Sequence, residues 1–234
     1  MIGWVESLLV RLAQSSGFRL ERMNRSVLRR PIPQGAKLYV GCGEQNLEGY
    51  FGCDLRPLPH VQLACRAWEV SKFCSGLSEI YSRHMLEHLT FSESQLALRD
   101  WMNALAPGGL LRIEVPNLQF AMSQWQNAVW TEHELGNRYS NARWGYAGLF
   151  GWQRECDPEA DDYNLSYWDV HKSGYTADSM LFFLKQAGFG HIQIEMGKFT
   201  PKQLVRRNLA PNASDNCHLI ATGTKPSALQ KLAA

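Results

Sequence analysis

The sequence predicts an α/β fold organised around a mostly parallel sheet, on three observations. A short apolar strand, Leu38-Tyr39-Val40, runs directly into Gly41-Cys42-Gly43, so the backbone can turn tightly beside a bound molecule with no Cβ in the way. A second strand ends at Asp54, where a carboxylate can accept hydrogen bonds from the two hydroxyls of a ribose. A helical stretch over 92–105 then leads through Pro107-Gly108-Gly109 into a further strand, Leu110 to Val115, continuing the alternation of strand and helix. The Gly-x-Gly triplet alone says little, because most such triplets are ordinary turns. The order strand, glycine turn, strand, terminal acid is far more specific.

Taken in order, residues 2–14 place Trp4, Val5, Leu8, Leu9 and Leu12 at helical spacing, followed by Arg19, Arg22, Arg25, Arg29 and Arg30. This segment reads either as a helix packed on the domain with a solvated basic connector, or as an arm for an anionic membrane surface or a partner. Pro31 and Pro33 close it. Seven strands follow: Leu38 to Val40, the stretch ending at Asp54, Val61 to Cys65, Glu79 to Arg83, Leu110 to Val115, His191 to Met196 and Cys217 to Gly223. The last two read as an antiparallel pair at the sheet edge. The connection from Cys42 to Tyr50 is shorter than a parallel crossover usually needs. Either the first helix is reduced to about a turn, or the strand boundaries shift.

Ser92 is a candidate N-cap for the helix over 92–105, with Leu98, Trp101, Met102 and Leu105 on one face. From Asn117 to Tyr175 regular patterning fades, and Trp125, Trp130, Trp144, Trp152 and Trp168 fall there with several tyrosines. A segment of that length inside a compact domain reads as a lid or binding region with its own aromatic packing. Thr176 caps another helix, with Met180, Leu181, Leu184 and Ala187 inward, and Gly188-Phe189-Gly190 ends it. Pro201 to Ser214 carries no assignment.

A net charge of +2 with 20% charged residues gives no pull toward nucleic acid. The six cysteines form no Cys-x-x-Cys pair, and with no signal peptide evident they read as free thiols of a cytoplasmic protein. No apolar run approaches the roughly 18 residues that span a bilayer, so a soluble protein is expected.

The glycine turn and Asp54, together with Tyr81-Ser-Arg-His84-Met-Leu-Glu87-His88-Leu89 and Ala106-Pro-Gly-Gly109-Leu-Leu-Arg-Ile-Glu-Val-Pro116, form a series. It resembles the class I S-adenosylmethionine-dependent methyltransferases, in particular the small "methyltransferase type 11" group. The resemblance is strong over 36–116 and weak over 146–196. It implies a Rossmann-like α/β fold: a seven-stranded, mostly parallel sheet with flanking helices and an aromatic-rich insertion after strand five. The domain would run over 36–230, with a lid at 117–175, an N-terminal segment at 1–35 and an expression-vector remnant at 231–234. It further implies S-adenosyl-L-methionine as cofactor and S-adenosyl-L-homocysteine as product. The residues implied around that cofactor are Tyr39, Gly41, Cys42, Gly43, Asp54, Leu55, Ala67, Trp68, Ser82 and His84. In the family the adenine loop usually carries an acid, but Arg66 stands at that position here. Either Glu69 substitutes or backbone groups read the adenine, with Trp68 over the ring.

Methyl transfer from a sulfonium is a direct displacement that mainly needs alignment and exclusion of water, plus a base when the acceptor is a hydroxyl. His171, at the end of the insertion and close to a helix start, is the candidate base; the other reading is a histidine that anchors the lid. His84-x-x-Glu87-His88 matches the inverted zinc-protease string, but a third ligand is not evident and the stretch follows a buried strand. It is also similar to the Glu-x-x-Glu-His stretch by which some ubiquinone-biosynthesis O-methyltransferases hold a divalent cation, with His84 replacing the first glutamate. The reading adopted is no metal: Glu87 and His88 satisfy local backbone at a helix start. The acceptor is a small molecule or a lipid-linked or other glycan, with peripheral membrane contact through residues 1–30 as a further expectation. A non-catalytic adenosyl-binding scaffold and a nicotinamide-dependent oxidoreductase are the competing readings.

Overall fold

The structure, a computed structural model, describes residues 26–137, 140–153, 158–159, 169–197 and 217–227. The expected helix over 2–14, the arginines up to Arg25, the loop 201–214 and residues 231–234 lie outside them. The described strands are β1 (Val27–Leu28), β2 (Lys37–Val40), β3 (Phe51–Asp54), β4 (Val61–Ala64), β5 (Leu77–Arg83), β6 (Leu105–Pro116), β7 (Gly190–Gly197) and β8 (His218–Thr224). They form one sheet in the order β1-β4-β3-β2-β5-β6-β8-β7. The count is eight rather than the expected seven. The extra strand, β1, pairs antiparallel with β4 over two residues, too short for an alternating pattern to show in the sequence. From β4 to β6 the pairing is parallel, and β8 runs antiparallel to both its neighbours.

After β2 the chain moves one way through β3 and β4 and then jumps to the other side with β5. The crevice beyond the carboxyl ends of β2 and β5 is therefore the topological switch point, where ligands of open α/β sheets bind. The short link from β2 to β3 contains turns and no helix, as its length requires. Arg29 bridges two loop carbonyls, donating 2.8 Å hydrogen bonds to Pro57 O and Pro59 O. This member of the basic segment is thus a clamp on the sheet edge.

On one face, Leu38, Ile80, Leu111 and Ile113 are fully enclosed with Leu98 and Trp101 of α1 (Phe91–Ala104) and Met180 and Leu184 of α5 (Ala177–Gln186). The Trp101 Nε1–H donates to Ala67 O at 2.8 Å. This bond ties α1 to the 3-10 turn that follows β4. Thr90, not Ser92, is the N-cap of α1: its hydroxyl accepts from Glu93 N while the Glu93 carboxylate accepts from Thr90 N. Such a capping box satisfies two otherwise orphaned donors at once. The opposite face carries a smaller cluster of Tyr39, Cys42, Val61 and Ala64, with the Tyr81 ring tilted against that of Tyr39 at 4.9 Å.

β6 begins five residues before the expected Leu110, because Pro107-Gly108-Gly109 is a register shift within the strand rather than a turn outside it. Gly108 takes φ +77 there, and its N–H donates to Lys225 O. The segment after β6 is more regular than expected. It holds α2 (Leu118–Gln126), α3 (Glu132–Gly136) and α4 (Asn141–Phe150). Their aromatic and glycine-rich composition hides the helical period, but it lets α2 and α4 cross closely. A Cβ on Gly145 would lie 2.6 Å from Trp125 N, and one on Gly148 would lie 2.6 Å from Ala121 Cβ. Trp125 meets Trp130, Tyr146 and Phe150 around this crossing. The insertion leaves and rejoins the domain side by side, through the bridge between Asn117 and Tyr175.

Candidate functional site

The glycine turn forms at the carboxyl end of β2, where Gly41 and Gly43 take φ +72 and +53. A Cβ at Gly41 would lie 2.1 Å from Met85 Cγ, so close approach and a left-handed backbone both demand glycine. Asp54, the last residue of β3, is nearly buried. Its Oδ2 accepts from Gly43 N at 2.8 Å, and its Oδ1 accepts from Arg56 N at 2.9 Å and Arg56 Nε at 3.2 Å. Asp54, expected as the ribose acid, is therefore a clasp on the glycine turn. Each oxygen keeps acceptor capacity, since a carboxylate offers about four lone-pair sites.

Leu55 follows Asp54 at the rim of the crevice, half-buried. Ala67 and Trp68 lie on the 3-10 turn after β4, with the Arg66 guanidinium 5.7 Å from the Trp68 ring centre. Glu69 is engaged in an ion pair with Lys72 at 2.9 Å and accepts a hydrogen bond from Ser26. The Lys72 ammonium, with that hydroxyl, holds its carboxyl below the ordinary range. Tyr39 and Cys42 belong to the smaller core cluster, where Tyr39 donates to Gln45 Oε1 at 3.1 Å. Burial pushes the Tyr39 phenol and the Cys42 thiol each up to about 12, so both are neutral. The five described cysteines are free thiols.

Ser82 is enclosed at the end of β5, and its Oγ has no hydrogen-bond partner among the described residues. His84 follows with φ +47. Such a conformation in a non-glycine residue persists only where the surroundings enforce it. His84 N–H donates to Glu114 O at 2.9 Å, and its Nδ1 lies 3.2 Å from Glu87 Oε1.

Beyond His84 a cavity of about 530 Å³ opens, lined by Gln45, Glu87, His88 and His171 and walled by Phe120, Trp144 and Trp152 of the insertion. His84 is thus the one predicted cofactor residue on the cavity wall, and the candidate base His171 shares it. Phe120 and Trp144 meet edge to face, as do Trp144 and Trp152, and Arg143 lies over the Trp152 ring. His218, which carried no signal in the sequence, also lines the cavity, its ring 4.9 Å from that of His84. It arrives there because β8 returns antiparallel along β6, a pairing that no local pattern encodes.

The residues 171–175 are strapped to the turn after β5. Lys172 and Ser173 N–H both donate to Glu87 O, Ser173 Oγ donates to Leu86 O, and Tyr175 OH donates to Ser94 Oγ at 2.8 Å. Two imidazoles are oriented by distant carbonyls. His88 Nδ1 lies 3.1 Å from Val170 O and His171 Nδ1 lies 3.0 Å from Gly148 O. His88 therefore meets remote rather than local backbone, which corrects the expectation for it. Burial lowers the His171 pKa, against the pull of the Glu87 charge, so its ring is neutral near pH 7. Burial alone would raise the Glu87 carboxyl, but the hydrogen bond and charge of His84, with lesser contributions from the other two imidazoles when protonated, hold it below the ordinary range. Glu87 is fully enclosed and anionic.

No protein-family model matches the chain. No curated protein matches it in sequence. Among solved structures, it resembles a Listeria monocytogenes protein inferred to be an S-adenosylmethionine-dependent methyltransferase, at 16% identity and TM-score 0.54 over 83% of this chain and 91% of that one. An S-adenosylmethionine-dependent methyltransferase from Mesorhizobium loti follows at 17% identity and TM-score 0.49, over 82% of this chain and 93% of that one. A Bordetella parapertussis protein inferred to be exported is matched at 15% identity and TM-score 0.47, over 86% of this chain but 65% of that one's length. The Listeria likeness establishes the Rossmann-like methyltransferase fold; the other two, at lower scores, add nothing to it. Among the described residues no helix is long and apolar enough to cross a membrane.

Proposed function

We propose that the chain is an S-adenosylmethionine-dependent methyltransferase acting on a hydroxyl oxygen of a small molecule or of a free or lipid-linked glycan. The observation that carries this reading is the adjacency of two sites: a clasped glycine turn at the switch point of a methyltransferase fold and, beyond His84, a separate aromatic cavity. The first is shaped for a nucleoside, with Asp54 taking the ribose hydroxyls and Trp68 beside the adenine. The second suits an acceptor, since Phe120, Trp144 and Trp152 offer ring faces to a sugar or flat ring. The Listeria neighbour's inferred activity agrees with this assignment.

In the displacement the acceptor oxygen attacks the sulfonium methyl carbon, the carbon–sulfur bond breaks, and S-adenosylhomocysteine leaves. The hydroxyl proton must pass to a base. His171 Nδ1–H is spent on Gly148 O, which leaves Nε2 with the lone pair that can take the proton in a metal-free site. On this reading the aromatic walls Phe120, Trp144 and Trp152 shield the chemistry from water. Calorimetric titration with S-adenosylmethionine, S-adenosylhomocysteine and NAD tests the reading: binding of both adenosyl ligands and not NAD is expected. Binding of NAD alone would sink it.

A further inference from the structure

We propose that Glu87, His88 and His171 form a binding site for one divalent cation of the zinc type, facing the aromatic cavity. One ligand-type atom from each residue lies within 4.8 Å of the others, a span that a single ion can bridge after small side-chain movements. The three come from two distant parts of the chain, joined where Lys172 and Ser173 strap the insertion to Glu87 O.

Two independent observations point to a ligand. First, Glu87 Oε2 is buried with no hydrogen-bond partner among the described residues, while Oε1 lies against His84 Nδ1. A buried carboxyl oxygen with no partner is costly in either protonation state, and such groups are normally paired or coordinate metals. Second, a backbone carbonyl can only accept, so Val170 O and Gly148 O oblige His88 and His171 to carry their protons on Nδ1. In the neutral form each ring therefore keeps its lone pair on Nε2. An imidazole whose other nitrogen donates to a carbonyl is the usual arrangement around a bound metal, because that bond sets tautomer and ring orientation. Two imidazoles and one carboxylate leave a coordination position open toward the cavity, as in catalytic rather than structural zinc sites. The preference is for a borderline ion over magnesium or calcium, which favour all-oxygen sites.

The binding claim stands by itself; its consequence for the reaction rests on the methyltransferase reading. With an ion present, the His171 lone pair belongs to the ion, and an acceptor hydroxyl in the open position becomes more acidic through coordination.

The test uses the full chain stripped with a chelator and dialysed, then titrated with Zn2+ by calorimetry and with Co2+ by its ligand-field absorption. One ion per chain is expected, with a Co2+ spectrum of nitrogen and oxygen ligation. Glu87→Gln, which keeps the side chain's shape, and His88→Gln should each weaken binding at least tenfold, while His133→Gln, at an exposed site, should not. His171→Gln also removes the bond to Gly148 O, and His88→Gln the bond to Val170 O, so Glu87→Gln is the most decisive variant and each is checked by its melting curve. Absence of stoichiometric binding, or binding undiminished in Glu87→Gln and His88→Gln, overturns the site. Parallel titration with S-adenosylmethionine separates the two claims. Adenosyl binding without metal binding refutes the ion site alone, and metal binding without adenosyl binding refutes the methyltransferase reading alone.

Discussion

Replacing Asp54 by alanine removes two functions, and each has its own readout. In the free protein the carboxylate satisfies the backbone N–H groups of Gly43 and Arg56 at 2.8 and 2.9 Å. A donor left without its acceptor costs about 1–3 kcal/mol. Gly43 is half-buried and Arg56 exposed, so water recovers part of this and the low end applies to each. The Arg56 Nε ion pair is partly solvated and adds less than about 1 kcal/mol. The sum is a destabilisation of about 2–3 kcal/mol, or roughly 4–12 °C in melting temperature for a chain of this size. If the same carboxylate holds a ribose, two charge-assisted hydrogen bonds of about 1.5–3 kcal/mol each are also lost, and affinity for S-adenosylmethionine should fall at least tenfold. Differential scanning calorimetry without ligand reads the first effect, and isothermal titration below the lowered melting point reads the second. Asp54→Asn keeps one acceptor oxygen and should show about half of the first effect. An alanine variant that melts with the wild type refutes the clasp. One that melts lower but binds S-adenosylmethionine unchanged refutes the ribose role.

Two further outcomes follow from the described geometry. Gly151 takes φ +83, and a Cβ there would lie 1.9 Å from Asp169 O; Gly151→Ala should therefore push the end of α4 away from the returning segment at Asp169 and speed proteolytic cleavage after α4. Cleavage at the wild-type rate would show that the junction has slack. The Cys42 thiol and Tyr39 phenol are held protonated up to about 12 in the fold, against 9.0 and 10.0 when free, so the folded state binds more protons in that interval. Stability should be intact below pH 9 and should decline as pH rises from about 9 to 12. Urea midpoints that stay level from pH 8 to 11 would contradict the burial of these groups.

The sheet was legible because its information is local. Leu38 to Val40, the two glycines and Asp54 stand within 17 positions of one another, and each strand announces itself by apolar runs between turn residues. The boundaries moved where a side chain chose between neighbouring solutions: Thr90 won the N-cap over Ser92 because Glu93 stands three residues after it and can reciprocate. The insertion was illegible as helix because α2 and α4 pack through Ala121, Gly145 and Gly148, which carry no apolar period. His171 could be placed near the mouth from its position before Thr176. The cluster it joins could not, because Glu87 and His171 are 84 positions apart and are brought together by long-range bonds such as those from Lys172 and Ser173 N–H to Glu87 O.

Those backbone bonds make assembly of the insertion and assembly of the site one event. Gly148 O belongs to the last turn of α4, where helix carbonyls lack an intrahelical partner, and the His171 Nδ1–H fills that vacancy. Val170 O takes His88 Nδ1–H, while Lys172 and Ser173 N–H hold Glu87 O. If α4 frays, His171 loses the acceptor that sets its tautomer; if the strap to Glu87 opens, the Val170 carbonyl moves and His88 loses its own. The orientation of both lone pairs thus depends on the insertion being closed over the cavity. A chain with the insertion open would keep its glycine turn and Asp54 clasp, which lie on the sheet, but would present no ordered basic group to an acceptor. On the proposed methyltransferase reading, cofactor affinity and catalytic competence therefore reside in different parts of the fold, and a loosened insertion should lower turnover well before it lowers binding of the nucleoside.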